Sequence, residues 1–73
     1  MDTLFTTELE SNGKAQTFAV SFHENSYIFQ AINSNTSFSI LRENDEWHST
    51  EPIDNQLKNA ATEKLESYLL SQH

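Results

Sequence analysis

Residues 9–22 read LESNGKAQTFAVSF, and the pair Asn12-Gly13 near their centre decides the fold. A two-residue hairpin turn of type I′ needs φ > 0 at both central positions, and Asn-Gly is the pair that tolerates this best. Closing Ser11 against Lys14 across such a turn sets Leu9 opposite Gln16, Thr7 opposite Phe18 and Phe5 opposite Val20. The large apolar side chains of both strands then fall on one face, and a slip of one residue would scatter them over two. The stretch therefore predicts an antiparallel hairpin of fixed register with one apolar face.

Working outward, Phe18, Val20 and Phe22 alternate with short or polar residues, and Glu24-Asn25-Ser26 marks a second turn. A two-residue loop there pairs Phe22 with Tyr27, Val20 with Phe29 and Phe18 with Ala31. Asn33-Ser34-Asn35-Thr36 is rich in side chains that bond their own backbone in turns. A reversal there is expected to pair Ala31 with Phe38, Phe29 with Ile40 and Tyr27 with Arg42. Asn44-Asp45 allows a last reversal, Arg42 against Trp47, into a short fifth strand.

Beyond Pro52 the period changes. Ile53, Leu57, Ala60, Ala61, Leu65, Tyr68 and Leu69 follow spacings of three and four, one stripe of an α-helix over about residues 53–71. Thr50 or Asp54 supplies the cap, and Asp54 with Lys58 makes a favourable i,i+4 pair. An amphipathic helix and a sheet with one apolar face each need the other. The expected fold is α+β: an antiparallel meander of four to five strands over about residues 3–50, with one C-terminal helix across one face. Residues 1–73 form one domain in this reading. The predicted core is Phe5, Phe18, Val20, Phe22, Tyr27, Phe29, Phe38, Ile40 and Trp47 beneath the helix.

Size and charge limit the function classes. A chain of 73 residues buries only about 60–65% of the surface its unfolded form exposes, which disfavours a deep catalytic cavity. There is no cysteine, so neither disulfides nor thiolate metal sites arise, and apolar packing must hold the core. Met1-Asp2-Thr3 opens no secretory leader, and no apolar run approaches the roughly 18 residues a membrane span requires. A cytoplasmic protein without membrane contact is expected. Four basic against eleven acidic residues give a formal net charge of −7, which repels phosphate backbones and disfavours nucleic acid as a partner.

Candidate residues follow from the registers. On the face away from the helix one row is expected to hold Leu4, Ser21, Ile28, Leu41 and His48, the next Thr6, Ala19, Gln30, Ser39 and Thr50, with Ile32 one row further. A solvent-facing sheet usually carries Lys, Glu and Arg, whereas these rows carry hydroxyls, one amide and aliphatics. That pattern suggests a contact face made of Leu4, Ala19, Ile28, Gln30, Ile32, Leu41 and His48, set against the plainer reading that scattered surface aliphatics need no explanation. Acidic residues at the margins, Glu8, Glu10, Glu24, Glu43, Asp45 and Glu46, are candidate contacts for a basic partner. Arg42 between Tyr27 and Trp47 is expected to form a stacked ladder, or alternatively an anion site.

Catalytic signals are weak. No G-x-S-x-G elbow, Gly-rich phosphate loop or E-x-x-H spacing occurs, and the His48, Asp45, Glu46 group is the best metal or acid–base candidate. Trp47 and His48 should face opposite sides of the sheet. The expectation is a non-enzymatic protein–protein interaction module without a cofactor, self-associating through the outer sheet face. The alternatives are an acidic inhibitor or immunity-type protein that binds a basic partner, and a metal-binding or enzymatic role at His48.

Overall fold

The computed structural model describes residues 3–11 and 13–72. Five strands, β1 (Thr3–Ser11), β2 (Lys14–His23), β3 (Ser26–Ala31), β4 (Ser37–Glu43) and β5 (Glu46–Ser49), form one antiparallel sheet in sequential order. The helix α1 (Asn55–Ser71) follows and packs against one face. This is the α+β meander-plus-helix that the change of period predicts, and the short fifth strand is paired.

Three tight turns set most of the register. Gly13 has φ 78°, while Asn12, the other half of the first turn, lies outside the described residues. Glu24 and Asn25 have φ 51° and 66°, and Asn44 and Asp45 have φ 53° and 65°, so both later turns carry the paired positive φ of type I′. Their backbone twist matches that of the strands they join. Leu9 accordingly faces Gln16, Val20 faces Phe29 and Arg42 faces Trp47, as the sequence predicts.

One register differs. β3 and β4 pair Phe29 with Phe38 and Tyr27 with Ile40, two residues away from the expected match of Phe29 with Ile40 and Tyr27 with Arg42. The Ala31 N–H donates to the Thr36 carbonyl at 2.9 Å, and the Thr36 N–H to Ser34 Oγ at 3.3 Å, which closes the loop more tightly than the sequence suggests. A shift of two keeps every side chain on its face. At the start of β1 a bulge places Thr3, not Leu4, opposite Ser21.

Val20, Phe29, Ile40, Ala61 and Leu65 are fully buried, joined by Leu9, Phe18, Ala31 and Phe38. Phe29 and Phe38, brought together by the observed register, stack at 4.9 Å with planes 6° apart, and Phe18 meets both rings edge-on. Phe5, Tyr27, Trp47, Ile53, Leu57 and Ala60 pack around this centre.

The helix begins two residues later than the apolar stripe suggests. Asp54 caps it, with Oδ2 accepting from the Leu57 N–H at 3.4 Å. That carboxylate is thereby committed to the backbone, and no Asp54–Lys58 ion pair forms among the described residues. Near its C-terminus α1 leans toward β1, where Tyr68 stacks on Phe5 at 4.4 Å. The inner face is left partly open at the end of β2. Phe22, expected in the core, is 47% exposed there. Among the described residues, no helix is long and apolar enough to cross a membrane.

Candidate interaction surface

The strand alternation that fills the core also builds the outer face. Thr6, Ala19, Gln30 and Ser37 stand in one row across the sheet; Ser21, Ile28 and Ser39 stand in the next; His23, Ser26, Leu41 and His48 form the third. The β3–β4 register therefore breaks the expected aliphatic row, because Ser39 takes the place next to Ile28 and Leu41 moves one row on, beside Ser26 and His48. Likewise Ser37 takes the place expected for Ser39. Ile28 and Leu41 become diagonal neighbours, roughly 7–8 Å apart for such pairs. Leu4 sits in the β1 bulge, 39% exposed, and Ile32 lies past the end of β3, 56% exposed, its N–H bonded to the Thr17 carbonyl at 3.0 Å.

What survives this rearrangement is the absence of charge from the middle of the face. Ala19, Ser21, Ser26, Ile28, Ser39 and Leu41 are all half-buried by their neighbours. Gln30 is exposed, with its Nε2 donating to the carbonyls of Ala31 and Thr36 at 3.3 and 3.4 Å, so its amide props the β3–β4 loop. Charge is confined to the ends of the strands.

The acidic candidates separate into two groups. Glu8 and Glu10 lie near the first turn on the edge strand β1, whereas Glu24, Glu43, Asp45 and Glu46 lie at the opposite end, in and beside the β2–β3 and β4–β5 turns. All six are exposed. Among the described residues the carboxylates that meet a basic side chain are Glu24, 3.5 Å from His23 Nε2, and Glu46, 3.7 Å from His48 Nε2.

Trp47 and His48 do point to opposite sides: Trp47 packs against the core and His48 is exposed beside Leu41. No group of three His, Asp or Glu side chains able to hold a metal ion occurs among the described residues, so Asp45 does not complete a site with His48 and Glu46. The ladder forms in a different order from the expected one. Trp47, not Arg42, is its centre: the Arg42 guanidinium lies 5.2 Å from the Trp47 ring centroid, and Tyr27 meets Trp47 edge-on at 6.0 Å. Phe22 extends this line, 4.9 Å from Tyr27.

Two recesses among the described residues are small. One of about 200 Å³ between β2 and the β3–β4 loop is lined by Ala15, Gln16, Thr17, Ala31, Asn33 and Ser34, none of them ionisable, and so offers no acid–base pair. Another of about 160 Å³ lies among Arg42, Glu66, Leu69 and Leu70. Sequence reasoning does not single out Phe22 or Glu66 as surface features, because periodicity assigns faces and says nothing of how far the helix reaches over them. No protein-family model, curated protein or solved structure matches this chain.

Proposed function

We propose that this chain is a small non-enzymatic interaction module of the cytoplasm that self-associates by stacking the outer sheet faces of two copies. The observation that carries the reading is the bare, uncharged centre of that face: rows of Thr, Ser, Ala, Ile and Leu, with carboxylates only at the strand ends. Stacking two sheets brings their faces about 10 Å apart and buries such short side chains without desolvating a charge.

The area argument sets the expected strength. Five strands about 4.8 Å apart, each presenting about six residues at roughly 3.3 Å, make a face of about 24 by 20 Å. Two copies then bury on the order of 1,000 Å², the lower limit for a specific interface. With a net charge of −7 on each copy, association is opposed at low ionic strength and strengthened as salt screens the repulsion. Light scattering at high micromolar concentration tests this: a concentration-dependent dimer lost on Ile28→Glu or Leu41→Glu supports the reading, and a monomer indifferent to both changes refutes it.

A further inference from the structure

The fold sorts ionisable groups by face. Strand alternation sends Lys14 and Arg42 to the helix side, and Lys58 and Lys64 stand on α1 itself, so none of the chain's lysines and arginines lies on the outer face. That face carries Glu8, Glu10, Glu43 and Glu46, with Glu24 and Asp45 in the turns at one end, and two histidines, His23 and His48. Among the described residues these histidines are the side chains able to place positive charge there. Both stand in one row at the end of the face, with Ser26 and Leu41 between them. His23 Nε2 is 3.5 Å from Glu24 and His48 Nε2 is 3.7 Å from Glu46, and the two side chains are 56% and 47% exposed. A rim position of this kind keeps water within reach of a charge, which the uncharged centre at Ala19, Ile28 and Ser39 would have to strip away.

Stacking two copies through this face, the reading on which this inference rests, changes what the imidazoles meet. The two-fold axis of such a pair lies between the sheets and, for aligned sheets, runs along the strands or across them. With the axis along the strands, the histidine end of one copy lies over that of the other, which carries Glu24, Glu43 and Glu46. With the axis across them, it lies over the end that carries Glu8 and Glu10. Each arrangement adds carboxylates around His23 and His48 and adds no lysine or arginine. We propose that outer-face association is gated by pH: with His23 and His48 neutral, two carboxylate-bearing rims repel each other, and with both protonated the rims pair across the copies. A side chain that meets added carboxylates on association holds its proton more tightly there, so pairing takes up protons. It therefore strengthens as pH falls through the ordinary imidazole range, centred at about 6.5, and is weakest above it. Each proton also removes one unit from the formal charge of −7 that opposes association.

Sedimentation velocity of the full chain at low salt, at about pH 7.5 and about pH 6, tests the gate in a window where exposed carboxylates stay ionised. The dissociation constant is expected to be roughly fivefold to tenfold lower at the lower pH, and the difference to shrink at moderate salt. His23→Gln/His48→Gln should change by less than about twofold over the same window. Both positions are exposed, so the double variant keeps the fold, which its thermal melt checks. His73 and the terminal amine remain in it, so whatever they contribute is measured there. A wild-type dimer equally strong or weaker at the lower pH overturns the gate, as does a double variant that responds as the wild type does. A dimer indifferent to pH that Ile28→Glu abolishes sinks the gate alone and leaves outer-face association standing. A chain monomeric at both pH values sinks outer-face association and the gate with it.

Discussion

Glu24 is held at φ 51°, at the first central position of the β2–β3 turn, where a residue other than Gly, Asn or Asp is strained. The hairpin keeps it there because Val20 against Phe29 and Phe18 against Ala31 fix the register from the core side. Replacing Glu24-Asn25 by Asn-Gly should therefore stabilise the fold by about 0.5–1 kcal/mol, raising Tm by about 2–8 °C in a thermal melt. A lower Tm would show that the Glu24 conformation is not strained. A second contrast separates core from surface. Ile40→Val, at a fully buried position, should cost about 0.5–1.5 kcal/mol by urea titration, and Ile32→Val, 56% exposed, should leave the midpoint unchanged.

At the scale of elements, the helix depends on one side-chain cap. Asp54→Ala leaves the Leu57 N–H without its carboxylate partner and should destabilise the fold by about 0.5–1 kcal/mol, the lower part of the usual range because the bond is long at 3.4 Å. Asp54→Asn should recover most of that loss in the same denaturation experiment. The elements themselves were legible in the sequence because each signal was local: two-residue turns pin three of the strand pairings, and the step from period two to period 3.6 announces the helix. The β3–β4 pairing was not legible. Its loop is longer, and alternation separates odd slips from even ones but cannot tell Phe29 facing Phe38 from Phe29 facing Ile40, since both are apolar. That ambiguity left the core list nearly intact, yet it rearranged the outer face, where Ser39 and Leu41 exchange roles beside Ile28. Phe22 departs from the expectation for another reason: it lies at the end of β2, one row beyond the Val20–Phe29 pair, and alternation assigns it a face without telling how far the helix covers that end.

At the scale of the molecule, a sheet with a helix on one side has two kinds of surface to offer. The outer face is neutral at its centre and acidic at its ends, and the inner face is apolar and partly open at Phe22. Ionic strength acts on the outer face by screening, which strengthens association of like-charged copies. Self-association through the outer face is the central claim, and sedimentation velocity from low to high micromolar concentration, at low and moderate salt, tests it most directly. The account predicts an average mass that rises from 8.4 kDa toward twice that value, more readily at moderate salt, with Ile28→Glu and Leu41→Glu remaining monomeric while still folded. A monomer at every concentration, or a dimer that both variants preserve, would contradict it.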